Sequence, residues 1–351
     1  MKKSVLVAMS GGVDSSVAAY LLKEQGYDIA GATMCMGLDS PTCSDKRCCS
    51  PLDLEDARKV CDHLEIPHYS LDFSENLKEY VINNFIEEYI EGRTPNPCVR
   101  CNQYLKFHVL LKKALVMDFD YIATGHYALV EKKDSRLYLK TALDANKDQS
   151  YFLYSTEYNM LDKILFPLGD LPKNEVRDIA RTSGVPVAEK RESQDICFLG
   201  DDSIYNFFES RSIAIEKGSI VNAKGEEVGK HNGIIGYTIG QRKGIGGGFN
   251  KPQYVIEINS HNNTVVIGSE EDLYSKGMIV SNINLLVKDL PDSATVKTRY
   301  RMEGAHCTIK RESESVIVEF SSPQRAISPG QSAVFYHNDI VLGGGIIEKK
   351  L

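Results

Sequence analysis

Ala8-Met9-Ser10-Gly11-Gly12-Val13-Asp14-Ser15 follows the apolar run Val5-Leu6-Val7 and leads into Val17, Ala18, Leu21 and Leu22, which recur at helical spacing. The order is strand, tight turn, helix. Paired glycines let the backbone turn sharply and approach a ligand with no Cβ in the way. The unpaired N–H groups and positive dipole end of the helix then face that ligand, which makes the corner an anion cradle suited to phosphate. A Gly-Lys-Ser/Thr ending is missing, so this is not the common nucleoside-triphosphate loop. A bare Gly-Gly corner would say little; the serines and the acid packed around this one, directly after an early strand, say nucleotide.

Working outward, 351 residues exceed one ordinary domain and predict two or three. Hydrophobic residues make up 42%, enough to bury real cores. Gly11, Gly12 and Asp14 cut the first apolar stretch far short of a signal peptide's core, and no run approaches the length of a membrane helix, so a cytoplasmic protein with no membrane partner is expected. In that reducing compartment nine cysteines argue for free thiols, metal ligands or redox chemistry more than for structural disulfides. The net charge of −7 speaks against a coat of nucleic acid. The charge is uneven, however: residues 1–205 are acidic and residues 273–351 slightly basic, which leaves room for a local basic surface.

Residues 1–200 alternate short strands with helical patterns, the signature of a parallel α/β sheet. Asp53 reads as the N-cap of a helix carrying Leu54, Ala57, Val60, Cys61 and Leu64. Leu77 to Ile90 forms a second helix stopped by Gly92, and Leu105 to Leu115 a third. Phe119 to Thr124 is a buried strand ending at Gly125-His126, and ligands in such sheets sit beyond strand carboxyl ends, so this end is expected near Ser10. After about residue 210 the helical period vanishes. Alternating runs at Val296 to Arg301, Val316 to Phe320, Ala333 to Tyr336 and Val341-Leu342 predict a small β-barrel, with Gly343-Gly344-Gly345 as a bend. Gly240 to Gly248 reads as a mobile loop of a small middle module or as a solvated connector.

The thiols form the second constellation. Cys98 and Cys101 lie in Thr94-Pro95-Asn96-Pro97-Cys98-Val99-Arg100-Cys101-Asn102, where a stiff approach places them just before a helix, beside Arg100. Cys197 follows in Glu192-Ser193-Gln194-Asp195-Ile196-Cys197-Phe198-Leu199-Gly200. Next to a nucleotide loop these thiols make chemical sense: one can carry sulfur as a persulfide, and another can attack it and release sulfide by exchange. The nucleotide would meanwhile adenylate a carbonyl oxygen, so that C=O becomes C=S. Cys35, Cys43, Cys48, Cys49 and Cys61 also invite a zinc reading. The polar, turn-rich Thr42 to Leu52 favours a mobile loop with incidental thiols.

Ser10 to Ser16 resembles the pyrophosphate loop of enzymes that split ATP into AMP and pyrophosphate. Seven more motifs follow in order: Gly92-Arg93-Thr94-Pro95-Asn96-Pro97, Cys101-Asn102, Thr124-Gly125-His126-Tyr127, Lys147-Asp148-Gln149-Ser150-Tyr151, Ser193 to Gly200, Gly236-Tyr237-Thr238-Ile239-Gly240-Gln241-Arg242 and Pro329-Gly330-Gln331-Ser332. Together they resemble the tRNA-specific 2-thiouridylase family (MnmA/TrmU) over essentially the whole chain. The resemblance implies an N-terminal adenine-nucleotide hydrolase-like (Rossmann-like) parallel sheet over residues 1–205, a small central domain over 206–272 and a C-terminal β-barrel binding tRNA over 273–351. It implies 2-thiolation of the wobble uridine of tRNA, with ATP, Mg²⁺ and a cysteine desulfurase or sulfur-relay protein as persulfide donor.

By motif, Ala8, Met9, Ser10, Gly11, Gly12, Val13, Asp14, Ser15, Met34 and Gly125 would contact ATP, with Asp14 holding Mg²⁺. Cys101 would be the nucleophile and Cys197 the persulfide carrier. Asn96, Pro97 and Cys98 would touch the target base. Lys147, Asp148, Gln149, Arg299, Tyr300, His126 and Gln331 would contact tRNA. Arg299, Arg301 and Lys310, read on alternating barrel strands, are expected to grip the RNA backbone, while the target base flips out of its stack. An iron–sulfur cluster on Cys98, Cys101 and Cys197 stands as the alternative to persulfide chemistry. An amide-forming ligase, or a non-catalytic tRNA-binding protein, is the competing function. A ligase would have no use for Cys101 and Cys197.

Overall fold

The computed structural model describes residues 2–37, 51–191, 196–200, 202–246 and 251–351. They fall into two compact units. Unit 1 holds residues 1–81, 98–201 and 339–341; unit 2 holds 82–97, 202–338 and 342–351.

Unit 1 is built on five parallel strands: β1 (Ser4–Ala8), β2 (Asp28–Cys35), β3 (His68–Asp72), β4 (Tyr121–Ala123) and, at one edge, a two-residue strand Ile164–Leu165. Their order is β3-β2-β1-β4 and then that edge strand, so the order reverses at β1, which pairs Leu6 with Ala30 on one side and with Ile122 on the other. Val5, Leu6 and Val7 are wholly buried, as expected for a strand covered on both faces. Helix α1 (Val13–Glu24) turns Val17, Ala18 and Leu22 inward, and α2 (Pro51–His63) contributes Ala57, Val60 and Cys61. Asp53 lies inside the first turn of α2 rather than at its N-cap. The expected helices at 77–90, whose residues 82–90 belong to unit 2, and at 105–115 exist, but each overlaps a π segment, Lys78–Ile82 and Cys101–Leu110. A hairpin of β5 (Leu129–Lys133) and β6 (Arg136–Lys140), unforeseen in the sequence, completes the unit and pairs Lys140 with Ile340.

Unit 2 has two sheets. The smaller has four strands in the order Tyr254–Asn259, Thr264–Gly268, Gly218–Asn222, Glu227–His231, around Ile220, Val255, Val265 and Ile267. The larger is a closed six-strand barrel. Its strands run in the order Tyr274–Leu285, Ser315–Arg325, Ala305–Arg311, Ser293–Lys297, Ser332–His337, Ile340–Lys350, and the last pairs back onto the first.

Two expectations for the barrel need correction. Gly343-Gly344-Gly345 is not a bend but the middle of the last strand. A Cβ on Gly343 would stand 2.2 Å from the Asn284 carbonyl oxygen, and one on Gly345 2.3 Å from that of Ser281, so these glycines let two strands close where their register slips. Arg299 and Arg301 lie in the turn after Ser293–Lys297, not on a strand. Among the described residues no helix is long and apolar enough to cross a membrane.

Candidate active site

The loop after β1 is held open by its own serines. Ser15 Oγ accepts from the Ser10 N–H at 3.2 Å and donates to the Gly12 carbonyl at 3.1 Å, and Ser16 Oγ donates to the same carbonyl at 2.8 Å. Gly11 takes a φ of +69°, and a Cβ there would meet the Asp53 carbonyl at 2.3 Å, so the turn admits only glycine. No side chain caps α1 at Gly12, which leaves the first N–H groups of the helix for a ligand. At the end of β4, a Cβ on Gly125 would lie 2.7 Å from the Asp14 carbonyl carbon and the Ser15 nitrogen. The β1 and β4 loops therefore meet at the reversal of strand order, where open α/β sheets bind ligands. Met34 is buried at the end of β2.

Two lysines that the sequence reading missed complete this corner. Lys173 Nζ donates to both carboxylate oxygens of Asp14, at 2.6 and 2.8 Å, and Tyr127 OH donates to Asp14 Oδ1 at 2.9 Å. Gln149 Oε1 in turn accepts from the Tyr127 N–H at 3.0 Å, so the Lys147 to Tyr151 motif reaches Asp14 through Tyr127. Behind the loop, Lys190 Nζ donates to the Gly11 carbonyl at 3.0 Å, to Asp53 at 2.7 Å and to Asp56 at 2.6 Å. The only cue to Lys173 in the sequence is that it opens a helix, Lys173–Thr182, after Pro172.

The thiols also belong to unit 1. Cys98 is exposed and Cys101 half-buried, and both lie in the first turns of the helix begun by Pro97–Arg100 rather than before it. Arg100 Nε donates to the Tyr80 carbonyl at 2.8 Å, and its guanidinium lies 4.9 Å from the ring centre of Tyr104. Cys197 is half-buried in a turn anchored by buried Phe198. The remaining described thiols are poor nucleophiles. Burial pushes Cys61 up to about 12 and Cys307 up to about 11, and raises Cys35 as well. Cys43, Cys48 and Cys49, and Ser193, Gln194 and Asp195 of the motif before Cys197, lie outside the described residues.

Among the described residues no three His, Cys, Asp or Glu side chains gather to hold a metal ion. Mg²⁺ is a different case. It takes one or two carboxylates plus substrate phosphates, and Asp14, in a loop that admits phosphate, fits that requirement.

Several residues expected to touch tRNA have structural partners. His126 is buried; Nδ1 faces Thr124 Oγ1 at 2.7 Å and Nε2 faces Lys106 Nζ at 3.3 Å. Burial first, and then the Lys106 charge, hold its pKa well below the usual histidine value. Asp148 is buried and accepts from the Ala142 and Ser150 N–H groups and from Ser150 Oγ. Lys147 is half-buried in the same loop.

In unit 2, Gln331 Nε2 donates to the Thr94 and Pro95 carbonyls at 2.9 and 3.2 Å, and the Thr94 N–H donates to the Pro329 carbonyl at 2.9 Å. The motifs at Gly92 and Pro329 thus grip each other just ahead of Asn96 and Pro97. Arg299 Nη2 donates to the Ile239 and Ala326 carbonyls at 2.9 and 3.0 Å and to Ser328 Oγ at 2.7 Å. Tyr300 is half-buried beside it and Arg301 is exposed, while exposed Lys310 pairs with Glu319 at 2.7 Å.

Residues 3–201 match the family model described as tRNA methyl transferase HUP domain, 206–269 the tRNA methyl transferase PRC-barrel domain and 275–347 the aminomethyltransferase beta-barrel domain. The chain is similar to tRNA-specific 2-thiouridylase MnmA 1 of Syntrophus aciditrophicus, with 48% identity over 351 residues, 100% of this chain and 94% of that one. It is likewise similar to tRNA-specific 2-thiouridylase MnmA of Clostridioides difficile, with 48% identity over 359 residues, 100% of this chain and 99% of that one. MnmA of Caldicellulosiruptor saccharolyticus is 47% identical over 360 residues, with both chains covered in full.

Proposed function

The chain belongs to the tRNA-specific 2-thiouridylase family, and from that premise we propose that it replaces the C2 oxygen of the wobble uridine of tRNA by sulfur at the expense of ATP. The observation that carries this reading is the company the loop keeps. A phosphate cradle with a single carboxylate, Asp14, shares unit 1 with two accessible thiols at motif positions, Cys101 and Cys197. The family-model descriptions speak of methyl transfer. Methyl transfer has no use for a loop built for pyrophosphate, and an amide-forming ligase has none for the thiols.

In this mechanism the loop N–H groups at Gly12 and the start of α1 hold the nucleotide phosphates, with Met34 and Gly125 among the ATP contacts. Mg²⁺ at Asp14 would offset charge on the departing pyrophosphate. The uracil O2 attacks the α-phosphorus and pyrophosphate leaves, so that C2 carries AMP as a leaving group. Cys197 carries the persulfide delivered by a cysteine desulfurase or sulfur-relay protein. The Cys101 thiolate attacks the Cys197 sulfur and hydrosulfide departs; hydrosulfide adds to C2 and AMP is expelled. A Cys101–Cys197 disulfide remains, which a thiol reductant returns to the starting state. Asn96, Pro97 and Cys98 would hold the target base. Segments 1–205, 206–272 and 273–351 divide this work into catalysis, connection and tRNA binding, in the cytoplasm.

Mass spectrometry of nucleosides from unmodified tRNA incubated with the protein, ATP, Mg²⁺ and sulfide tests the reading. 2-Thiouridine at the wobble position, with one AMP formed per thiolation, is expected. Pyrophosphate release without thiolated product would refute it.

A further inference from the structure

Asp14 is an acid at the mouth of an anion cradle, and by itself it would repel the phosphates the loop is shaped for. In this structure its charge is met by Lys173, whose ammonium contacts both carboxylate oxygens and lies 5.5 Å from the ring centre of Tyr127. Lys173 is only 9% exposed. A buried cation that loses its partner must find another anion or suffer a large desolvation cost. The second lysine of the corner is in a different position: Lys190 donates to Asp53, Asp56 and the Gly11 carbonyl.

We propose that Lys173 is a phosphate-binding residue of the nucleotide site, held on Asp14 until nucleotide arrives. Asp14 would hold Mg²⁺ when it arrives with nucleotide, and the Lys173 ammonium, released from that carboxylate, would turn to the phosphate. The exchange keeps each buried charge paired at every stage. It also gives a cation to the side of the loop that lacks the lysine of the Gly-Lys-Ser/Thr type, 159 residues away along the chain from Asp14. No bond is made or broken in this step.

The inference rests on the reading that the loop binds ATP, and the test separates the two. Calorimetric titration of the full-length protein with ATP is done with Mg²⁺ and in EDTA, with adenosine as the control ligand. With Mg²⁺, Lys173→Met should weaken ATP binding about tenfold or more, as expected for loss of one charge-assisted phosphate contact, and leave adenosine binding unchanged. In EDTA, Asp14→Asn should tighten ATP binding, because it removes a repelling charge and releases the ammonium from that carboxylate. The double variant Asp14→Asn/Lys173→Met, which removes both charges of the pair and so guards against misfolding, should in EDTA bind ATP about tenfold more weakly than Asp14→Asn. Wild-type affinity in Lys173→Met with Mg²⁺, or the affinity of Asp14→Asn in the double variant, would overturn the proposal, for Lys173 would then serve only to neutralise Asp14. A wild-type protein that binds no ATP would overturn the nucleotide reading itself.

Discussion

Lys173 beside the phosphate loop is a buried cation and Arg299 in the barrel unit a half-buried one, and they are held in opposite ways. Lys173 meets one flexible carboxylate that has another task, so its bond is exchangeable. Arg299 Nη2 meets two carbonyls and a hydroxyl, and that hydroxyl itself donates to the Ala326 carbonyl, so its bonds lie in a closed set of protein groups. A cation facing a side-chain acid at a ligand's doorway is a working part. A cation that ties three stretches of backbone together is a fastener. The motif reading names the second as a tRNA contact and does not name the first.

The largest effects should fall on the working side. With a cysteine persulfide donor in place of sulfide, Cys101→Ser and Cys197→Ser are each expected to bring thiolation below detection while ATP affinity stays at the wild-type value, because the thiols act after adenylation. Asp14→Ala should abolish ATP–pyrophosphate exchange measured with Mg²⁺. Cys98→Ser should retain substantial thiolation under nucleoside mass spectrometry. A dead Cys98→Ser together with brown, iron-rich protein after anaerobic purification would replace persulfide chemistry by a cluster.

On the fastening side, Arg299→Ala should cost about 1–3 kcal/mol of stability in chemical denaturation, since it takes a donor from the Ile239 carbonyl and leaves the Ala326 carbonyl with Ser328 Oγ. Its effect on tRNA affinity should follow that loss, with an unchanged dependence on salt. A stable variant whose salt slope falls by about 1 would instead make Arg299 a phosphate contact and erase the contrast with Lys173.

How much of this was legible follows from how far apart the partners are. The phosphate loop is a local strand–turn–helix, and its glycines and serines act on one another within six residues, so Ser10 to Ser15 could be read directly. Gly125 was placed correctly because strand ends in such sheets converge on one edge. Lys173 was invisible: nothing near it in the sequence says that it meets Asp14. The π segment Cys101–Leu110 hid behind Leu105 and Leu110, which suit a helix of either pitch. Gly343 to Gly345 was misread because a glycine run permits either a sharp bend or a close strand approach, and only the Asn284 and Ser281 carbonyls on the facing strand decide which.

Glycines sharpen the comparison at an intermediate size. Gly125→Ala presses a methyl group on Asp14 and Ser15, and Gly345→Ala presses one on the Ser281 carbonyl. The first should weaken ATP binding several-fold with little change in melting temperature. The second should destabilise the fold by about 1–3 kcal/mol, the range for overpacked sites, with ATP affinity unchanged. Titration calorimetry and thermal melting on both variants would reveal an exchange of these two phenotypes, which would mean that the two regions are coupled.

The smallest effect is a pH dependence carried by His126. Its folded pKa lies well below the ordinary 6.5, so the native protein keeps it neutral while the unfolded chain protonates near 6.5. Below that pH the unfolded state binds the extra proton and stability falls as pH falls; above it the contribution is constant. The slope from one such group is at most about 1.4 kcal/mol per pH unit. His68 and His231 are lowered too, by burial first, and add to the same trend. His126→Gln keeps a polar side chain opposite Thr124 but cannot titrate. Denaturation free energies measured from pH 7 down to pH 5 should therefore decline less steeply in this variant than in the wild type, without becoming flat. An unchanged slope would mean that His126 takes up its proton in the folded state, and it would then offer a charge to RNA at the end of β4 where the structure shows a neutral brace.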